Sequence, residues 1–298
     1  MPRGTLFPGR LGLAESRIPH ADRHGLLWIT RGKLYVEEGT LRFLAAASDQ
    51  FEPGDYAIPY QRVSMILMGP GTTVSHDALR ILARHGTLLA AVGEGGVKFY
   101  TAPPLGQGRS AVARNHARLW ANEKSRLDVA RRMYAFRFGQ VLPHRDISVL
   151  RGIEGGRVKK MYRVHAERFG IPWQGRRYDR SNPGANDIPN QALNHAATFV
   201  ESAADIAVAA VGALPPLGFI HEDSSNAFTL DIADLWRDEI TVPLAFSVAR
   251  KILDDPELSL EREIRYQAAD WFRRKKLIPS MIDRIKEILH VDDSSCDA

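Results

Sequence analysis

Four residues in the second half of the sequence could together do chemistry on a phosphodiester. Glu154 stands in Arg151-Gly-Ile-Glu154-Gly-Gly-Arg157, His221 closes Gly218-Phe-Ile-His221, and Asp231 and Asp234 lie in Leu230-Asp231-Ile-Ala-Asp234-Leu-Trp236. Carboxylates joined by one imidazole make a hard, oxygen-rich donor set for a divalent cation, and such sites handle phosphodiesters. A helix beginning near Leu230 sets Asp231 and Asp234 at i and i+3 on one face. Glu154 can meet them only through folding. Each residue has an ordinary alternative. Asp231 could cap a helix, Glu154 could pair with Arg157 on a surface turn, and His221 could be a hydrogen-bonded core histidine.

Two kinds of architecture must position these groups. From about residue 26 to 101 the pattern is short and strand-like, in the runs Leu26-Leu-Trp-Ile-Thr30, Lys33-Leu-Tyr-Val36, Leu41-Arg-Phe-Leu44, Val63-Ser-Met-Ile-Leu67, Leu88-Leu-Ala-Ala-Val92 and Val97-Lys-Phe-Tyr100. Glycines between the runs supply turns. One helix interrupts them, capped by Ser75 and stopped at Gly86. Beyond Pro103-Pro104-Leu-Gly-Gln-Gly108 the period shifts from two towards 3.6. Helices are predicted over residues 111–139, 156–170, 191–212, 242–253, 261–276 and 280–290. The expected organisation is α+β: a β-rich, sandwich-like domain with one helix over 1–102, a linker at 103–110, a larger all-helical catalytic domain over 111–290, and a disordered acidic tail at 291–298.

The 298 residues, 44% of them hydrophobic, suffice for two domains with a sizeable core. Forty Lys plus Arg against 35 Asp plus Glu give a formal charge of +5, which favours an acidic partner without singling out nucleic acid. Cys296 is the only cysteine, so no internal disulfide can form and a reducing compartment is expected. No uninterrupted run approaches the ~18 apolar residues of a membrane helix, and the first residues lack a signal-like apolar core, so the chain reads as cytoplasmic without a membrane partner.

Several ordered blocks, in one register, resemble the CRISPR adaptation endonuclease/integrase family, the first of the CRISPR-associated proteins, in its subtype I-E branch. They are Pro70-Gly-Thr-Thr-Val-Ser-His76, Arg131-Arg-Met-Tyr134, Arg137-Phe-Gly139, the segments around Glu154, His221 and Asp234, Trp173-Gln-Gly-Arg-Arg-Tyr-Asp179 and Glu261-Arg-Glu-Ile-Arg265. The resemblance covers nearly the whole chain. It implies an N-terminal β-domain and a C-terminal helical domain, with Glu154, His221 and Asp234 holding Mg²⁺ or Mn²⁺ and Asp231 as a nearby second acid that either ligates as well or orients water or the histidine. The chain departs from the pattern at Glu222-Asp223-Ser224, where two extra carboxylates would repel phosphate unless one turns away or shares the metal.

The activity implied is insertion of spacer DNA into a CRISPR array by transesterification from a 3′-hydroxyl, without ATP. The implied partners are a second copy in a homodimer, the small ferredoxin-like second adaptation protein, double-stranded spacer precursor with single-stranded ends, and CRISPR repeat DNA. Candidate DNA contacts are Lys159 and Arg163, which share a helix face; Arg176, Arg177 and Tyr178, which combine phosphate forks with a stacking ring; and Arg273 and Arg274 in a compact basic run. A solvated charged face is the ordinary alternative for these residues. Two further functions stay open: a structure-selective repair nuclease acting on branched DNA, and a catalytically silent DNA-binding scaffold.

Overall fold

A computed structural model describes residues 3–5, 25–48, 51–101, 110–144, 146–177, 186–222 and 224–290. Tyr178, Asp223, the tail from 291 and all but the last residue of the expected linker lie outside the described residues.

The N-terminal part is built of strands, as expected. Strands β1 (Arg3–Thr5), β5 (Gly54–Ala57), β4 (Thr40–Ala45), β3 (Gly32–Glu37) and β7 (Thr72–Val74) form one sheet in that spatial order. A second sheet has the order β2 (Gly25–Ile29), β6 (Val63–Met68), β8 (Leu88–Ala91), and its pairings are all parallel. A central parallel strand is covered on both faces, which is why β6 reads as an almost unbroken apolar run. Its alternate side chains serve two cores. Val63 and Ile66 join the apolar layer between the sheets, whereas Met65 and Leu67 face the helices.

Helix α1 (His76–His85) starts where predicted, with the Ser75 hydroxyl accepting from the Ala78 amide at 3.2 Å, and ends at Gly86. The run from Val97 to Tyr100 contributes only an isolated bridge, Val92 to Phe99, in place of the expected strand. The short strands β1, β5 and β7 are additional to the predicted set.

The remainder is helical: α2 (Ser110–Ala121), α3 (Glu123–Phe138), α4 (Ile147–Phe169), α5 (Ile188–Val211), α6 (Ala227–Leu235), α7 (Val242–Asp254), α8 (Leu260–Arg274) and α9 (Leu277–Ile288), with a π-helical turn, Arg237–Thr241, between α6 and α7. Helices α5, α6 and α9 each start three residues before their expected positions, and two larger departures stand out. The predicted helix over 111–139 is broken at Asn122, whose side chain accepts from the Ser125 amide at 2.9 Å and caps α3. Helix α4 begins at Ile147, about two and a half turns before the start predicted at residue 156, because the Asp146 carboxylate caps it at the Ser148 amide, 2.7 Å away. Its interior glycines 152, 155 and 156 each disfavour helix by about 1 kcal/mol, so local propensity hides a helix that tertiary packing enforces. Glu154 therefore sits on a helix, away from any turn.

Helix α5 is the hub. Its Ala- and Val-rich length is buried against α6, α7, α8 and α9. The same apolar cluster runs from Met65, Leu67, Leu88 and Ala90 of the second sheet through Val97 into α3, α5 and α7 to α9. No helix among the described residues is long and apolar enough to cross a membrane.

The turn Glu94–Gly96 fastens the strands to the helices. Gly95 has φ of 63°, and a Cβ there would lie 2.3 Å from the Ala269 Cβ of α8. Gly95→Ala is expected to lower unfolding stability by about 2 kcal/mol, from left-handed backbone strain and overpacking together, measured by urea denaturation. An unchanged midpoint would mean that this turn does not hold the two parts together.

Candidate active site

The site is assembled on four segments. Helix α4 brings Glu154, the loop between α5 and α6 brings His221, α6 brings Asp231 and Asp234, and the last turn of α3 brings Arg137.

Asp231 is wholly buried, and its carboxylate is saturated. Its Oδ2 accepts from the amides of Phe219, 2.6 Å, and Ile220, 3.0 Å; its Oδ1 accepts from the His221 amide, 2.9 Å, and lies 2.7 Å from His221 Nδ1. Four donors leave no acceptor direction for an external ligand. Of the roles open to Asp231 in the sequence, the one it occupies is orienting the histidine. This contact raises the His221 pKa and turns Nε2 outward, 3.9 Å from Asp234 Oδ2. The two acids at i and i+3 thus converge on one imidazole, at its two different nitrogens.

The loop is also clamped from behind by α2. His116 is fully buried, with Nε2 2.8 Å from the Leu217 carbonyl and Nδ1 accepting from the Leu214 amide at 3.1 Å. Burial lowers its pKa to about 4, which keeps it neutral and able to accept. Trp120 Nε1 donates to the Gly218 carbonyl at 2.9 Å. Gly218 itself is required by close approach, since a Cβ would fall 2.2 Å from the His221 carbonyl oxygen.

Opposite the imidazole, Arg137 Nη2 lies 2.6 Å from Glu154 Oε1 and 3.7 Å from Asp234 Oδ2. Arg237 pairs with the other oxygen of Asp234. Among the described residues, no three His, Cys, Asp or Glu side chains close around a common point as a metal cage, and a guanidinium stands between the carboxylates. By donor type, two carboxylates and an imidazole suit a divalent cation, and one pair has the spacing for it. Two ligands about 2.1 Å from one ion can be up to about 4.2 Å apart, which accommodates the His221–Asp234 separation. The bridge also shows that Glu154 and Asp234 already share one positive charge. Glu201 of α5 is a further acid nearby, its pKa raised to about 6 by burial and then by Asp234.

Glu222, the departure of concern, is turned onto Arg126 at 2.6 Å and Arg151 at 3.7 Å. Its charge is thereby balanced outside the acid cluster.

A cleft of about 670 Å³ opens beside the site, lined by Lys159, Arg163, Arg176 and Arg237 with Tyr162 and Trp173. Three of the sequence candidates for DNA contact meet there. Arg176 donates to Asn190 at 3.1 Å and Asn194 at 2.6 Å, and buried Asn190 accepts from the Arg177 amide at 2.8 Å, so the loop is anchored to the start of α5. Arg177 is exposed and donates to Gln174 at 3.1 Å. Arg273 and Arg274 end α8 away from the lining of this cleft, and Arg274 pairs with Asp270 at 2.9 Å. Reading the sequence missed Arg137, Arg237, His116, Trp120 and Asn190. Their signal was available for Arg137 alone, which stands within the Arg137-Phe-Gly139 block.

The family model described as CRISPR associated protein Cas1 matches residues 135–258. The chain is 36% identical over 91% of its length to the CRISPR-associated endonuclease Cas1 of Geobacter sulfurreducens, covering 86% of that protein. It is 35% identical over 91% to the protein of the same name from Escherichia coli, covering 87%. A crystal structure of a TtCas1-DNA complex superimposes with a TM-score of 0.79 at 32% identity, over 89% of this chain and 95% of that one.

Two measurements probe the scaffold of the site. Asp231→Asn places an amide NH₂ or a single neutral acceptor against four donors, and is expected to cost about 3 kcal/mol in urea unfolding; a loss under 1 kcal/mol would show that the loop holds without the charge. For His116, the unfolded chain takes up a proton between pH 6.5 and 4 that the folded chain refuses, so stability falls as pH falls through that window. In His116→Gln the drop between pH 7 and 4.5 should shrink by about 2 kcal/mol. Parallel curves for the two proteins would contradict the assignment of a neutral His116.

Proposed function

The chain belongs to the family of CRISPR-associated Cas1 proteins, and from that membership we propose that it is a divalent-metal-dependent DNA endonuclease and integrase of CRISPR adaptation. The observation that carries the reading is the convergence of Glu154, His221 and Asp234 from three separated segments, with the imidazole fixed by a buried carboxylate so that Nε2 faces Asp234.

Glu154, His221 and Asp234 would hold Mg²⁺ or Mn²⁺, which polarises the scissile phosphate and stabilises charge on the departing 3′-oxygen. Asp231 keeps the Nδ1 proton of His221 and so leaves Nε2 free to ligate. Lys159, Arg163, Arg176 and Arg237 neutralise backbone phosphates along the cleft, and Trp173 and Tyr162 supply an apolar wall there. The 3′-hydroxyl of an incoming fragment attacks the array phosphodiester, forming one P–O bond as the bond to the leaving 3′-oxygen breaks. One phosphodiester replaces another, so no nucleotide hydrolysis is needed.

Two fragment ends require two active centres. A homodimer, with residues 1–102 serving dimerisation and DNA contact, meets that need together with the small ferredoxin-like second adaptation protein. The DNA partners are spacer precursor with single-stranded ends and CRISPR repeat DNA, within the cytoplasm.

The test is strand transfer of a labelled fragment into a supercoiled plasmid carrying the cognate repeat, with the small partner and Mn²⁺. Glu154→Ala, His221→Ala and Asp234→Ala are each expected to lower joined product at least about a hundredfold while remaining folded by circular dichroism. Cleavage of branched DNA without joining would instead identify a repair nuclease, and DNA binding with neither activity a silent scaffold.

A further inference from the structure

We propose that Arg137 is the resident counter-charge of the acid cluster, and that a divalent cation binds only by displacing its guanidinium from Glu154 and Asp234. The inference rests on the metal-site reading above. Arg137 is 6% exposed, and its Nη2 occupies the position between the two carboxylates, 2.6 Å from one and 3.7 Å from the other. A cation ligated by Glu154 and that Nη2 cannot both hold this point, because each needs to lie against the same carboxylate oxygens. The exchange is favourable in charge, since a divalent ion replaces a monovalent one between two carboxylates.

The surroundings offer the guanidinium a place to move. Arg137 Nη1 is buried without a hydrogen-bond partner among the described residues, so the side chain is not fully satisfied there. It also lines a cavity of about 180 Å³, bordered by Phe138, Arg157, Arg237, Asp234 and Asp238. A rotation into this space would take the guanidinium off Glu154 and towards Asp238, which His165 holds at 2.6 Å, with Arg157 and Arg237 as like-charged neighbours that keep the exchange reversible. Without metal, Arg137 and Arg237 together balance Glu154 and Asp234, and the helices bearing them can pack without an ion. The consequence is a site that folds preassembled and binds metal more weakly than its donors alone would allow.

The experiment is Mn²⁺ titration by calorimetry at fixed pH and ionic strength, on native protein, Arg137→Gln and Arg137→Lys. Arg137→Gln removes the charge and should bind Mn²⁺ about tenfold more tightly, with a lower melting temperature in chelator and a larger rise on adding Mn²⁺. Arg137→Lys keeps the charge and should stay closer to native affinity than Arg137→Gln does. Equal or weaker Mn²⁺ binding by folded Arg137→Gln overturns the inference and leaves the metal site standing. Mn²⁺ binding by neither native protein nor variants overturns the metal-site reading, and this inference with it. Should Arg137→Gln fail to fold, a crystal structure of the native chain with Mn²⁺ decides: Arg137 turned away from Glu154 supports the exchange, and Arg137 Nη2 still within hydrogen-bond distance of a metal-bound Glu154 overturns it.

Discussion

The rest of the site depends on one buried charge. Asp231 has no contact with solvent, and a carboxylate removed from water survives only if donors replace its hydration. Here the donors are three successive backbone amides, of Phe219, Ile220 and His221, plus the His221 ring. The requirement works in both directions. The carboxylate needs the loop to coil around it, and the loop needs the carboxylate to satisfy three amides that no helix or strand would pair. The direction of His221, its tautomer and the place of α6 relative to the end of α5 all follow from that mutual need. His116 and Trp120 of α2 close the other side of the loop, so the imidazole is supported through its backbone as well as its ring.

Charge is interleaved around this centre rather than accumulated. Asp234 lies between Arg137 and Arg237, Glu154 lies against Arg137, and Glu222 is drawn off by Arg126 and Arg151. Glu201, with fewer partners, has its pKa moved up to about 6 by burial. An acidic cluster that must receive a polyanion is workable only if its own negative charge is balanced locally, and arginine suits this because its fork can serve two carboxylates at once.

Much of this was legible in the residues, and the parts that were not have a common cause. The strands at Leu26, Lys33, Leu41, Val63 and Leu88 declared themselves through apolar runs between glycines, and α6 through the spacing of its acids. Helix α4 did not, because Gly152, Gly155 and Gly156 depress local helix propensity around Glu154 and only packing against neighbours shows the residue to be helical. Asn122 split a long amphipathic stretch by capping, a choice that depends on where the next helix must point. Spacing alone does not separate Asp231 from Asp234, and only the family resemblance ranked them; burial and four hydrogen bonds set Asp231 apart in the fold. His116 and Asn190 carry no signal because a single polar residue in a helix has no periodic signature, and Arg137, visible within its block, could not be paired with Glu154 and Asp234 before folding. The basic run at Arg273 was visible as charge, yet its position at the end of α8 separates it from the cleft that Lys159, Arg163 and Arg176 share.

The continuous apolar cluster that links β6 and β8 with α5, α8 and α9 has a thermodynamic meaning. Met65 and Leu67 bury their side chains among helical residues, while the next residues on the same strand bury theirs between the sheets, so β6 cannot release one core without disturbing the other. The β-rich part and the helical part therefore share one interior, and removing β6 and β8 would strip a wall from the packing that keeps the helical half, and with it the acids and the histidine, in place.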